Sequence, residues 1–169
     1  FEQVAHRLTC LQDPKMKGIP FHMLRADVAG NISKRFSLSG IEIPRYGGAC
    51  PRWNIYKAFT MPGKINAAVS KMSNGDKYVC IARTVEKGVG RYGQKKSMLS
   101  IGLGCEAKYA KDFVYTENLD LNDKKSELPI GVSCRTCDRL DCSQRAFPPL
   151  HKKFDVDINN RGVSVYVTE

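Results

Sequence analysis

Apolar and polar positions change period several times along the chain, and each change marks an element. Residues 1–12 carry Val4, Leu8 and Leu11 at i, i+4 and i+7, the stripe of an amphipathic helix. Pro14 and Gly18 break that pattern. Residues 19–28 then alternate with period two, with Phe21, Met23 and Arg25 on one face, and Ala29-Gly30-Asn31 turns the chain into a partner strand over 32–38. A short helix is expected over 53–59, closed by Met61-Pro62-Gly63. Residues 64–72 and 77–85 flank Ser73-Asn74-Gly75-Asp76, and Asn-Gly is the strongest short hairpin signal. Residues 97–103 read as a fifth strand. Ala107, Ala110, Lys111 and Val114 recur at helical spacing, so a helix is expected over 104–114. The glycine-rich basic run 87–96 and the polar run 120–126 read as loops, and an extended tail follows Leu150.

Two hairpins, a fifth strand and interspersed helices predict an α+β fold: a five-stranded antiparallel sheet with flanking helices. At the level of strand order this resembles the GAF and PAS sensor architecture. Three parts are expected. Residues 1–18 are an N-terminal helix, read as the tail of a preceding domain. Residues 19–120 are the ligand-sensing sheet domain, and 121–169 are a cysteine-rich C-terminal segment. The 169 residues open on Phe1, so a piece of a longer protein is expected. No run of about 18 apolar residues predicts a membrane span, and no signal-peptide pattern opens the chain. A cytoplasmic, reducing compartment is the expectation.

Cysteine usage sharpens the picture. Seven cysteines at irregular spacing do not suit a secreted disulfide framework. Cys10, in the first helix, and Cys80, in an apolar strand, are expected to be ordinary buried thiols. Cys134, Cys137 and Cys142 form C-x2-C-x4-C, three thiols close enough in sequence to converge on one soft metal centre. A fourth ligand must come from elsewhere. Cys50 is the first candidate, because Gly47-Gly48-Ala49-Cys50-Pro51 lets backbone approach a bulky cluster closely. Cys105, behind Gly102 and Gly104, is the runner-up. Iron–sulfur, tetrahedral zinc and a metal-free redox cluster all remain compatible with this spacing.

The net charge of +10 suits nucleic acid, an acidic surface or a polyanionic small molecule. Arg25, Lys34, Arg35 and Arg83 fall on predicted strands. Turned toward the core they need an anionic partner, which a phosphate-bearing ligand supplies; turned outward they are solvated. Trp53, the single tryptophan, lines a pocket or anchors the core. The three histidines, His6, His22 and His151, make no metal-hydrolase pattern. Gly88-Val89-Gly90-Arg91-Tyr92-Gly93 opens no helix, so it is no dinucleotide fingerprint. Catalysis finds little support.

Three groups of residues together carry a family resemblance. The first is Phe1-Glu2-Gln3-Val4-Ala5-His6-Arg7-Leu8 with Gly18-Ile19-Pro20-Phe21 and Ala29-Gly30-Asn31-Ile32-Ser33-Lys34-Arg35. The second is Gly47-Gly48-Ala49-Cys50-Pro51-Arg52-Trp53-Asn54. The third runs from Cys134-Arg135-Thr136-Cys137 through Asp141-Cys142-Ser143-Gln144-Arg145-Ala146-Phe147-Pro148-Pro149. This resembles the C-terminal region of the short-chain fatty acyl-coenzyme A regulators of bacteria, transcription factors of propionate, acetate and glyoxylate metabolism. The resemblance implies an N-terminal helix-turn-helix and a domain like a zinc metallopeptidase ahead of this region. It also implies binding of short-chain acyl-coenzyme A and, as in the propionate regulators, a [4Fe–4S] cluster. Cys50, Cys134, Cys137 and Cys142 match the family's cysteines. Arg25, Lys34, Arg35, Trp53 and Arg83 are the candidate ligand contacts. DNA is then met through the helix-turn-helix, and a homodimer or higher oligomer is expected because such regulators pair on two-fold operators. The rival expectations are a zinc-stapled module that itself contacts nucleic acid, and an iron–sulfur redox or acyl-coenzyme A enzyme.

Overall fold

A computed structural model describes residues 1–88, 92–93, 96–117, 119–121, 123–151, 159 and 166. Parts of the expected 87–96 and 120–126 loops, the Lys152-Lys153 pair and nearly all of the expected tail lie outside the described residues.

The first helix, α1 (Glu2–Leu8), is shorter than its apolar stripe suggests. Val4 and Leu11 are exposed, and Ala5 is the residue that α1 buries. After Cys10 the chain makes a two-residue ladder, β1 (Gln12–Asp13) with β2 (Met16–Lys17), around Pro14. Cys10 is therefore exposed rather than a core thiol.

Strands β3 (His22–Asp27) and β4 (Ile32–Ser37) form the first hairpin. Then come a single helical turn, α2 (Asn54–Lys57), and a 3-10 turn, Ala58–Thr60. Strands β5 (Asn66–Lys71) and β6 (Lys77–Lys87) make the second hairpin. Its turn is built as the sequence predicts: Gly75 sits at φ +95, and the Asn74 and Asp76 side chains bond each other over 2.8 Å.

Strand β7 (Ser97–Glu106) runs three residues past its predicted end. The expected helix over 104–114 is replaced by strand to Glu106 and then 3-10 turns at Ala107–Asp112 and Val114–Thr116. Pairing decides this. Cys80↔Gly104, Val79↔Cys105 and Tyr78↔Glu106 extend the ladder with β6. Helical periodicity alone could not reveal that partner.

A last strand, β8 (Leu128–Pro129), pairs in parallel with β5. The sheet is thus six-stranded and mixed, in the order β4-β3-β7-β6-β5-β8, rather than five-stranded and antiparallel. Leu128 and Pro129 are too short a run to show a period, which is why this strand has no sequence signal.

Alternation along the strands sorts the core onto two faces. Met23, Val79, Ile81, Ile101, Leu103 and Cys105 face α1 and the turns after β7. Leu24, Ala26, Cys80 and Ala82 face α2, together with Cys50, Trp53, Ile55 and Ile130. Among the described residues no helix is long and apolar enough to cross a membrane.

Candidate metal centre

The α2 face is where the C-terminal segment returns. After β8, the Ile130 amide donates to the Lys71 carbonyl over 2.9 Å, and the Ile130 side chain is buried. The next two residues lie along the Cys50 loop. The Cys50 amide donates to the Val132 carbonyl over 3.0 Å, and the Trp53 indole N–H donates to the Gly131 carbonyl over 2.8 Å. Trp53 is 5% exposed, so it anchors the core and holds this segment to it.

The Cys50 loop is itself braced. The Tyr56 hydroxyl accepts from the Ala49 amide and donates to the Gly30 carbonyl, each over 3.2 Å. Asn31 bridges Gly48. Arg35, one of the candidate ligand contacts, donates to the Pro44 and Arg45 carbonyls at 3.2 and 3.1 Å, so it too supports the loop.

Past Gly131 the chain makes a 3-10 turn, Cys134–Thr136, that presents Cys134 and Cys137. Cys50, Cys134 and Cys137 are all buried, whereas Cys142 is half-buried. Burial pushes the Cys50 thiol up; the Gly131 and Arg52 amides, directed at its sulfur, pull it down, and the neighbouring Cys134 and Cys137 raise it again. These three sulfurs therefore share one neighbourhood. Among the described residues no three His, Cys, Asp or Glu side chains stand in a finished metal-binding arrangement. The Cys142 carbonyl accepts from the Arg145 amide over 3.0 Å.

Arg145 is the residue that sequence reasoning passed over. It is 5% exposed. One terminal nitrogen donates to the Cys134 carbonyl over 2.8 Å and to the Phe147 carbonyl over 3.3 Å. The other donates to the Cys137 carbonyl over 3.1 Å and to the Arg139 carbonyl. The available signal was its place between Cys142 and the two prolines: a guanidinium has five donors, and an irregular turn has carbonyls to satisfy.

The donor set suits a thiolate-ligated centre. Backbone amides point at sulfur, as at Gly131 and Arg52 toward Cys50 and at Ala146 toward Cys134 over 3.4 Å. Such N–H···S bonds stabilise thiolate and tune a bound cluster. Gly131 leaves room beside Cys137 that a side chain would take: an added Cβ would stand 3.0 Å from the Cys137 sulfur. The turn also forms one wall of an open cleft of about 580 Å³, lined by Gly47, Gly48, Tyr56, Cys134, Arg135 and Phe147. Cys105 projects from β7 to the α1 face, whereas Cys50 packs with the α2 face.

The other candidate ligand contacts divide between the faces. Arg25, Lys34 and Arg83 lie on the α1 side with Glu2, while Arg35 and Trp53 belong to the Cys50 side. The five do not converge on one pocket.

Comparison with known proteins now places the chain. Residues 10–166 match the family described as short-chain fatty acyl coenzyme A regulator, C-terminal. The chain belongs to this family. It is 46% identical over 171 residues to the HTH-type transcriptional regulator RamB of Mycobacterium tuberculosis, covering 100% of this chain and 36% of the relative. It is 46% identical over 165 residues to the propionyl-CoA carboxylase regulator of Cereibacter sphaeroides, covering 98% and 35%. The HTH-type transcriptional regulator PrpR of M. tuberculosis is 43% identical over 160 residues, covering 94% and 33%. The chain thus spans about a third of the length of these curated relatives. A solved structure of a M. tuberculosis transcriptional regulator superposes with a TM-score of 0.89 at 40% identity, covering 96% of this chain and 50% of that one. All of these relatives carry the names of regulators.

Proposed function

We propose that this chain is the sensing region of a bacterial transcription regulator. It binds a short-chain acyl-coenzyme A and holds a [4Fe–4S] cluster through Cys50, Cys134, Cys137 and Cys142. DNA binding belongs to a helix-turn-helix outside this chain. The strand order β4-β3-β7-β6-β5 supports a GAF- or PAS-like reading of the sheet. A homodimer or higher oligomer, acting in the cytoplasm, fits such a regulator.

The observation that carries the proposal is the docking of the Cys50 loop on the segment of Cys134 and Cys137: the Cys50 amide donates to the Val132 carbonyl over 3.0 Å, and the Cys137 sulfur lies beside Gly131. Cys50 lies on the loop between the first hairpin and α2; the other two come from the C-terminal segment, more than eighty positions away. The cluster, when bound, supplies a redox-active, oxygen-sensitive crosslink between the two. The protein's own part is to hold the thiols. The Gly131, Arg52 and Ala146 amides orient sulfur, and Arg145 fixes the turn that carries two of the cysteines. Ligand acts through different affinities for two arrangements of this region.

The sensor reading is also favoured over catalysis by the state of the buried histidine. His22 is bonded to Ser39 over 2.7 Å and held neutral by burial, with a pKa of about 3, so it is poorly suited to general acid–base work at neutral pH.

The deciding experiment is anaerobic quantitation of iron and acid-labile sulfide in wild-type and Cys50→Ser protein. Four irons and four sulfides per chain are expected for the wild type, with a large loss in the variant. Zinc without sulfide would replace the cluster by a structural zinc site. Calorimetry with acetyl- and propionyl-coenzyme A tests the ligand, and no heat from cluster-loaded protein would reject it.

A further inference from the structure

Three cations from different parts of the sheet close on one carboxylate. Arg25 Nη1 on β3, Lys34 Nζ on β4 and Lys87 Nζ at the end of β6 lie 2.9, 3.9 and 2.5 Å from the Glu2 oxygens. Arg83 reaches the same corner. It stands beside Arg25 across Ile101 in the sheet, with its guanidinium 5.9 Å from the Phe1 ring. Its Nε is buried and has no hydrogen-bond partner among the described residues.

The nearby carboxylates are engaged elsewhere. Asp27 accepts from the Asn31 amide and side chain over 2.9 and 3.0 Å, which closes the hairpin. Glu86 pairs with Lys96 over 3.0 Å. Among the described residues Glu2 answers three cations, with Arg83 beside them, so the corner carries surplus positive charge at positions fixed by strand pairing. Such a surplus is unfavourable on its own and becomes favourable around a polyanion. A diphosphate offers more acceptor oxygens and more charge than one carboxylate, and guanidinium and ammonium groups bind it through charge-assisted bonds. Glu2 is 12% exposed, while Lys34 and Lys87 are 31% and 47% exposed at the side chain, so the corner opens to solvent.

We infer that Arg25, Lys34, Arg83 and Lys87 form a binding site for a diphosphate-bearing small molecule, with Glu2 as its internal competitor. An incoming diphosphate takes the place of the Glu2 carboxylate and releases the first turn of α1 from the sheet. The inference deepens the ligand reading, since coenzyme A contains a diphosphate ester, but it stands on the cations alone.

Inorganic pyrophosphate, titrated by calorimetry at low salt into cluster-loaded protein, is the probe. Removing the competitor in Glu2→Gln is expected to tighten binding about tenfold, and adding Arg83→Met to weaken it again about tenfold, the scale of one charged hydrogen bond. Thermal denaturation reports whether the variants fold; Lys87→Met, at a half-exposed side chain, gives the same test if Arg83→Met does not. Unchanged or weaker binding in Glu2→Gln overturns the site. So does duplex DNA that displaces pyrophosphate equally well from wild type and Lys87→Met, because a diffuse basic surface behaves that way. Acyl-coenzyme A separates the two readings. If it binds all variants alike, the site falls and the ligand reading stands. If it fails to bind while pyrophosphate responds to Glu2→Gln, the ligand reading falls and the site stands.

Discussion

The Arg145 guanidinium donates to the Cys134 carbonyl over 2.8 Å while its other arm donates to the Cys137 carbonyl over 3.1 Å. Both cysteines of the C-x2-C pair hang from one buried cation. Lysine cannot reproduce this, because its three donors radiate from a point and lack the planar fork. Arg145→Met is expected to destabilise the protein by about 3 kcal/mol, since it leaves buried carbonyls unmatched. Arg145→Lys should recover only part of that. Urea denaturation reads the stability, and iron per chain reads the turn. A Met variant with wild-type midpoint and iron content would show that the turn holds itself.

The indole N–H of Trp53 reaches the Gly131 carbonyl over 2.8 Å and joins the sheet domain to the cysteine segment. Trp53→Phe keeps most of the apolar contact and removes the donor. A loss of about 1–2 kcal/mol is expected from the unmatched buried carbonyl. The loss should be local, so limited proteolysis of the cluster-free protein should cut within 131–151 faster than in wild type. Equal cleavage rates would mean that the Cys50–Val132 backbone bond suffices.

Gly131 tests the proposed ligand set from the side. A Cβ there would stand 3.0 Å from the Cys137 sulfur and 3.3 Å from its Cβ, so the neighbour must give way. Gly131→Ala is expected to cost about 1 kcal/mol in overall stability, at the low end of overpacking. Its larger effect should fall on iron and sulfide content, because cluster ligation requires the sulfur to be placed within a few tenths of an ångström. Full iron loading in the Ala variant would argue that Cys137 is not a ligand.

What was legible in the sequence followed from local chemistry. Asn74-Gly75 set one turn, Gly30 another, and alternation over Phe21, Met23 and Arg25 correctly put them on one face. Misread parts depended on partners remote in sequence. The helical spacing at Ala107 and Ala110 gave way because Gly104, Cys105 and Glu106 found β6. The sixth strand is two residues whose identity carries no period. At the site, Cys50 emerged from its glycines and the family resemblance, and the structure sets its loop against Val132 of the segment that carries Cys134 and Cys137. Arg145 stayed hidden because surface and buried arginines look alike in sequence until their acceptors are known.

His22 gives the protein an acid limit that sets in above the carboxylate range. Its Nδ1 lies 2.7 Å from the Ser39 hydroxyl, its Nε2 lies 3.5 Å from the Cys80 sulfur, and burial pushes its pKa from 6.5 to about 3. Cys80, pushed up to about 12, stays a thiol and offers no counter-charge. The sign follows from linkage. The unfolded chain takes up a proton near pH 6.5, and the folded protein does so only near 3, so His22's contribution is complete above 6.5. It is lost as pH falls from 6.5 toward 3, at up to about 1.4 kcal/mol per pH unit. Glu2, Asp27 and Glu127, all held below their ordinary values, add to the loss only at lower pH, from about 4.5 downward. Urea midpoints measured between pH 6.5 and 5 should therefore decline in wild type and decline by one proton less steeply in His22→Gln. The neutral amide will itself lower stability at pH 7, so the slope rather than the midpoint carries the test. Parallel slopes would mean that His22 can be protonated in the folded protein.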